Sequence, residues 1–468
     1  MRVPREPATD LFVGPQHYTK GKRFPDPSQI KIYDTTLRDG EQMPGVAMSA
    51  EQKYIIAREL SDIGCHIIDL GFPSSAPGEQ ATLQQVLAGK EKGEIRQDLE
   101  ILVMCRSTQE DIDTTVRTIK AHGFSPGDVS VLIFSSASPL HCKYKIGPSL
   151  LKREGMPEDE DKPLGFFHEA NKRMVADAIS YARSCGLSQI EFGAEDASRT
   201  PIYQLVDLVR AAVNAGAMRY IFADTSGSLT PESAAIYCRA LTENFPDIAR
   251  VSHFHNDFDL ATVNVITGIA NGFSIFSSTV NGIGERAGNA PLHSVVAALK
   301  YLYGIEIPGF QYARLGRLKS IVEQMSGIPV QPHEPVIGLN VYSHESGIHA
   351  HGVSITRSMY EPIPYQEVGG ATRFIYGKHS GAHSVLDSLM RHKDEIGVPI
   401  TRELALTVLK EVKVLREAET ICGRTAEHIA NYYQNLLSLG IGEEELIHLA
   451  RRVAATVVSK EALATAAT

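Results

Sequence analysis

From about residue 30 to residue 282 the chain repeats one pattern, a short run rich in β-branched and aromatic residues followed by a longer amphipathic stretch. The runs are IKIYD ending at Asp34, HIIDLGF around Asp69, LEILVMC ending at Cys105, VSVLIFS around Phe134, QIEFGAE ending at Glu195, YIFADT around Asp224, VSHFHND around His255 and FSIFSSTVNG around Asn281. Between them, helical periodicity covers 49–64, 108–123, 168–186, 202–216 and 231–244, among other stretches. Strands and helices in strict alternation predict an α/β fold with a parallel sheet. The count favours a (β/α)8 TIM barrel over a doubly wound sheet. Most of the runs end in a charged or hydrogen-bonding residue. In a barrel those ends converge on the C-terminal face, where active sites sit.

The rest of the chain divides around this core. Residues 1–29 are polar and proline-bearing and read as an N-terminal extension; 30–304 read as the catalytic barrel. A linker and lid subdomain is expected over 305–379, with a helix near 314–326 and then a stretch rich in Gly, His and Tyr. Residues 380–468 read as a helical C-terminal subdomain, with three helices after residue 400. A net charge of −9 argues against nucleic acid as a partner. No apolar run approaches the roughly 20 residues that a membrane span requires. The N-terminus has no apolar core of a signal peptide. Six cysteines, at 65, 105, 142, 185, 238 and 422, are scattered without a CxxC pair. They read as reduced thiols of a cytoplasmic protein.

Three strings carry chemistry. In His253-Phe254-His255-Asn256-Asp257, alternate strand positions point the same way, so both imidazoles can face one metal ion in the barrel mouth. Two such histidines can equally be packed or exposed without a metal. In DTTLRDGEQ (34–42), Asp39 is placed to add a hard oxygen ligand, although acids of this kind commonly bridge loops. In NGIGERAGN (281–289), the glycines suggest a backbone bent tightly around something, or simply a turn.

Taken together, these strings resemble one family: the 2-isopropylmalate, homocitrate and citramalate synthases, which share a barrel with the hydroxymethylglutaryl-CoA lyases. The resemblance is carried by DTTLRDGEQ, GFPS, EDASRT, ADTSG, HFHND with LATVN, TVNGIGERAGN, HESGIHAHG, YEPI with EVG, and YGKHSGAHSV, in order from about Ile30 to Ser384. Within the family it is strongest to homocitrate synthases of the nitrogen-fixation type, and a specialised relative such as a phosphonomethylmalate synthase stays within it.

The resemblance implies that Asp39, His253 and His255 bind a divalent metal, with Asn289 beside them. An oxygen and nitrogen donor set without thiolate suits zinc, manganese, cobalt or magnesium. By the same resemblance Arg38 faces a 2-oxo acid, Thr225 holds its carboxylate, and Glu195, His349 and Tyr360 belong to the catalytic machinery. The implied reaction is Claisen condensation of the cosubstrate acetyl-CoA with a 2-oxo acid, giving a 2-hydroxy-2-alkyl dicarboxylic or tricarboxylic acid and CoA. An acetyl thioester is a weak carbon acid and needs a positioned base, for which His349, helped by Glu195 and Tyr360, is the candidate. A homodimer with shared active sites is also implied. The alternatives are a 2-isopropylmalate or citramalate synthase, a lyase working in the bond-breaking direction, and a non-catalytic barrel.

Three positions depart from the family pattern: Asp259 where Gly is usual, Asp69 where Glu is usual, and Glu191 where some homocitrate synthases carry an arginine. Basic groups are nonetheless plentiful near the expected mouth: Arg106, His141, Lys143, Lys145 and Arg199. Arg106 and His141 are therefore expected to bind the substrate, and the oxo acid to carry a second anionic group. The chain after His379 reads as helical, so feedback through a β-rich regulatory domain is not expected.

Overall fold

Each of the eight runs forms a parallel strand, and the strands close into a barrel in sequence order: β1 (Lys31–Asp34), β2 (Ile67–Asp69), β3 (Glu100–Arg106), β4 (Ser130–Ser136), β5 (Ile190–Glu195), β6 (Arg219–Asp224), β7 (Ala249–Phe254) and β8 (Ile275–Ser278). The closing pair is β1 with β8, in the register Tyr33 opposite Ser277 and Asp34 opposite Ser278. This computed structural model describes residues 24–121, 123–418 and 440–451, with single positions at 427, 428, 430, 431, 434 and 453.

The strands are buried on both faces because helices cover the outside and side chains fill the inside. Tyr33, Ile67, Leu102, Met104, Leu132, Ile221, Val251 and Ile275 pack together as the inner core. Local sequence sets the helix ends. Ser49 and Gln52 form a reciprocal capping box that starts the helix Ala50–Ile63. Gly64 ends it with φ of 105°, and a Cβ there would lie 2.7 Å from the Gly309 carbonyl oxygen. The helix expected from 168 begins earlier, at Leu164, because Pro163 presets its entry and Phe167 is drawn into a core with Leu150 and Leu151. Ala261–Ala270 is helical although its sequence, ATVNVITGIA, is rich in β-branched residues; burial of Val265, Ile266 and Ile269 overrides the local preference.

The described chain divides into two compact units. One contains the barrel and continues to Ile375; the other contains Met43–Ala47 and the chain from Tyr376. The stretch after the barrel, expected as a linker and lid, therefore packs with the barrel as far as Ile375. It holds the helix Leu315–Ser326, a two-stranded parallel pair of β9 (Ser343–His344) and β10 (Arg373–Phe374), and the helix Gly347–Ile355. In the second unit, Val385, Ala405 and Leu409 form a small core between the helices Ala382–Arg391 and Arg402–Ala418. Of the N-terminal extension, residues 1–23 lie outside the described residues, as does Cys422; Pro27–Gln29 make a single 3-10 turn before β1. Much of the chain expected to form the last two helices also lies outside them; 443–451 is helical where described. No described helix is long and apolar enough to cross a membrane.

Candidate active site

Three acids of DTTLRDGEQ have three different fates. Asp34 ends β1 as a buried side chain on the face opposite the inward-facing Tyr33. Glu41 bridges loops, pairing with the buried Lys53 and accepting the Met48 N–H at 2.8 Å. Asp39 turns into the barrel mouth. There its Oδ2 lies 3.4 Å from His253 Nε2 and 4.0 Å from His255 Nε2, and the two Nε2 atoms are 3.2 Å apart. All three side chains are buried, and their donor atoms lie within 4.8 Å of one another. Second contacts aim them. His253 Nδ1 meets Ser277 Oγ on β8 at 2.6 Å, and Asn289 Nδ2 donates to Asp39 Oδ1 at 2.9 Å.

The donor set fits a divalent ion. Burial opposes charge on Asp39, yet Arg38 and the two imidazoles hold its carboxyl well below the usual carboxylate range. Burial, and then His253, push the His255 imidazole down to about 4, so it is neutral near pH 7, as a metal ligand must be. Asn289 Oδ1 is buried with no hydrogen-bond partner. A cluster in which two neighbouring imidazole nitrogens and a carboxylate face each other, with an orphaned carbonyl oxygen alongside, suits a cation at the centre.

The glycine-rich loop makes this arrangement reachable. A Cβ on Gly284 would meet Asn289 Nδ2 at 2.2 Å, and one on Gly288, whose φ is 86°, would meet the Gly282 carbonyl oxygen at 1.9 Å. The object around which the loop bends is the Asn289–Asp39 pair.

A cavity of about 380 Å³ opens beside the cluster. Arg38, Asp39, Glu195, Thr225, His253 and His255 all line it, as the sequence led us to expect. Arg38 is held rigidly, with Nε on Asp69 Oδ2 at 2.7 Å and an Nη on Asp39 at 2.9 Å. Asp69, one of the departures, thus orients this arginine. Thr225 Oγ1 accepts the Asp196 N–H at 2.8 Å, which leaves its own proton to donate. Glu195 accepts from Ser136 Oγ at 2.6 Å and pairs with Lys145.

Other expected site residues lie elsewhere. Arg106 does not line the cavity; it makes a bidentate pair with Asp111, both contacts at 2.8 Å, and rests over the Phe72 ring. His141 stands behind Glu195, 3.9 Å from its carboxylate, 3.6 Å from Asp196 and 3.3 Å from Arg199. Arg199 is tied to Asp196, and Lys143 to Asp161. His349 and Tyr360 stack on one another with ring centroids 4.1 Å apart, and neither lines the cavity. The first histidine of HESGIHAHG, His344, is engaged by Glu361 at 2.9 Å. Asp259 sits in a left-handed turn at φ 58° beside Asn256. Sequence reasoning missed Tyr33, Gln42, Glu285 and Arg286 in the cavity lining and named Lys145 only as a nearby base. Tyr33 was findable: it lies one place before the polar end of β1, on the inward face of the alternation.

A closed eight-stranded barrel with a candidate metal centre and a substrate-sized cavity at its C-terminal mouth is the framework of a barrel enzyme. Comparison with known proteins narrows the class. Residues 29–154 and 161–322 match the family described as HMGL-like, and residues 336–420 match the homocitrate synthase post-HMGL domain. The chain belongs to the HMGL-like family, in its homocitrate and 2-isopropylmalate synthase branch. It is 38% identical over 393 residues to homocitrate synthase AksA of Methanocaldococcus jannaschii, covering 84% of this chain and 87% of that one. It is likewise 38% identical over 392 residues to a probable 2-isopropylmalate synthase of Ignicoccus hospitalis, covering 83% and 88%. In fold it is similar to hydroxymethylglutaryl-CoA lyase from Pseudomonas aeruginosa, with a TM-score of 0.51, 18% identity, and coverage of 65% and 95%.

Proposed function

We propose that this protein condenses acetyl-CoA with a 2-oxo acid, forming a carbon–carbon bond between the acetyl methyl carbon and the keto carbon and releasing CoA by thioester hydrolysis. The observation that carries this reading is the convergence of Asp39, His253, His255, Arg38 and Thr225 on one cavity that also holds Glu195 and Lys145. A zinc, manganese, cobalt or magnesium ion held by Asp39, His253 and His255, with Asn289 beside them, would supply Lewis-acid polarisation of the keto group. Arg38, fixed between two carboxylates, offers its remaining N–H groups to the oxygen on which charge develops. The Thr225 hydroxyl donates to the oxo acid's carboxylate. Glu195, with Lys145 beside it, is positioned to pass a proton at the acetyl methyl group.

His349 and Tyr360 are assigned to the mouth of a neighbouring copy's barrel, so that the working unit is a homodimer with shared sites. Two facts support this. Neither residue lines its own chain's cavity, and the face around them is apolar and open: Ile348 is 75% exposed, Ile355 64% and Met359 52%. A lid from a second chain would exclude water from the enolate. The reaction is assigned to the cytoplasm; Cys65, Cys105, Cys142, Cys185 and Cys238 are free thiols, which suit a reducing compartment.

The test combines metal analysis with a CoA-release assay over a panel of 2-oxo acids. The wild-type protein is expected to carry one divalent ion per chain and to release CoA only when an oxo acid is present. His253→Ala is expected to lose the ion and at least about a hundredfold in turnover. Full activity of that variant after chelation would sink the metal assignment; no oxo-acid-dependent CoA release would sink the condensing reading.

A further inference from the structure

At one end of the cavity, Tyr33 meets a buried charge network. Tyr33 lines the cavity, and its hydroxyl donates to Glu191 Oε1 at 2.8 Å. Glu191 is fully buried and pairs with Arg219, which in turn holds Glu100 at 2.6 Å. Two carboxylates thus share one guanidinium under the floor. Since Glu191 engages the Tyr33 proton, Oη has only lone pairs left for another partner, and a lone pair accepts but does not donate. The walls near it are Met104, Leu132, Phe134 and Ile221. Gly193 keeps that apolar space open: a Cβ there would lie 2.9 Å from Leu132 Cδ1 and 3.1 Å from Phe134 Cβ. The cations that line the cavity stand at strand ends or in the loops beyond, and each already holds a carboxylate, Arg38 those of Asp39 and Asp69, Lys145 that of Glu195, and Arg286 that of Asp257.

From this juxtaposition we infer that Tyr33, held by Glu191, selects a 2-oxo acid whose substituent is uncharged and rejects one bearing a second carboxylate or a phosphonate. The inference rests on the condensing reading above. It reverses the substrate charge expected from Arg106, His141 and Arg199, because Arg106 and Arg199 are bound by Asp111 and Asp196 and none of the three lines the cavity. A dianionic oxo acid reaching this end would set its second anion among Met104, Leu132, Phe134 and Ile221 and against a Tyr33 hydroxyl whose proton Glu191 already holds.

The experiment measures kcat/KM by CoA release on the full-length, metal-loaded protein. The uncharged arm is pyruvate, 2-oxobutyrate and 2-oxoisovalerate; the charged arm is oxaloacetate, 2-oxoglutarate and 3-phosphonopyruvate. The best of the first arm is expected to exceed every member of the second by about tenfold or more. A charged oxo acid in first place overturns the inference while leaving the condensing reading intact. Silence with every oxo acid overturns both. Glu191→Gln is expected to raise the charged-to-uncharged ratio by about fivefold, a ratio that does not depend on how much of the variant folds; an unchanged ratio removes Glu191 and Tyr33 from selection. Where that variant yields no folded protein, Gly193→Ala is expected to impair 2-oxoisovalerate more than pyruvate, and equal impairment overturns the assignment of this end of the cavity.

Discussion

Asp34 closes β1 with a carboxyl that has one partner where it needs several. Oδ1 accepts the Thr36 N–H at 2.9 Å, while Oδ2 is buried and unpartnered. Burial pushes this carboxyl up to about 7. The unfolded value is about 3.9, so the folded chain holds the proton more tightly. The resulting stability is present in full below about pH 4 and is lost as pH rises through about 7. Between those limits the loss runs at up to roughly 1.4 kcal/mol per pH unit. Asp34→Asn is therefore expected to flatten the decline between pH 5 and pH 7, read from urea midpoints of the two proteins; parallel declines would remove Asp34 as the cause. At this scale the sequence was a partial guide. It identified Asp39 and both histidines correctly as neighbours. It did not distinguish Lys145, which faces the cavity, from Arg106, which faces Asp111, because a basic side chain of several rotatable bonds goes where its nearest acid is.

Among the elements, the 281–289 loop shows most clearly how backbone shape becomes chemistry. Gly288 places its carbonyl to accept the Asn256 N–H at 2.9 Å, which ties the end of the histidine strand to the loop carrying Asn289. Any side chain at 288 meets the Gly282 carbonyl and an unfavourable φ. Gly288→Ala should cost about 1–3 kcal/mol locally. Because the strain falls on the loop that carries Asn289, we expect metal affinity to drop at least about tenfold while the barrel still melts cooperatively. Unchanged affinity by metal titration, with the protein folded, would mean that the loop is not a support for the cluster. Strands and helices of the barrel were legible because each repeats its period over enough residues to be read, with capping residues such as Ser49 and Gly64 marking the ends. The β9–β10 pair was not, since each strand is two residues long and exists only through the other.

At the scale of the whole molecule, the proposed shared sites make a definite forecast. A His349→Ala chain and a His253→Ala chain, each inactive alone, are expected to regain part of the activity when refolded together, because one heterodimer mouth receives both an intact cluster and an intact lid. Mixtures shown to contain heterodimers that remain inactive would assign each lid to its own barrel. What the amino-acid sequence determined by itself is the barrel, through period and alternation, and the identity of the cluster residues, since strand ends in a closed parallel barrel converge on one face wherever they fall in the chain. Only the tertiary structure decided which cations face the cavity, what lies beneath its floor, and that His349 and Tyr360 stand apart from the cluster. Those facts depend on pairings between side chains far apart in sequence, such as Tyr33 with Glu191, and on which acid each flexible base reaches first. No local pattern encodes them.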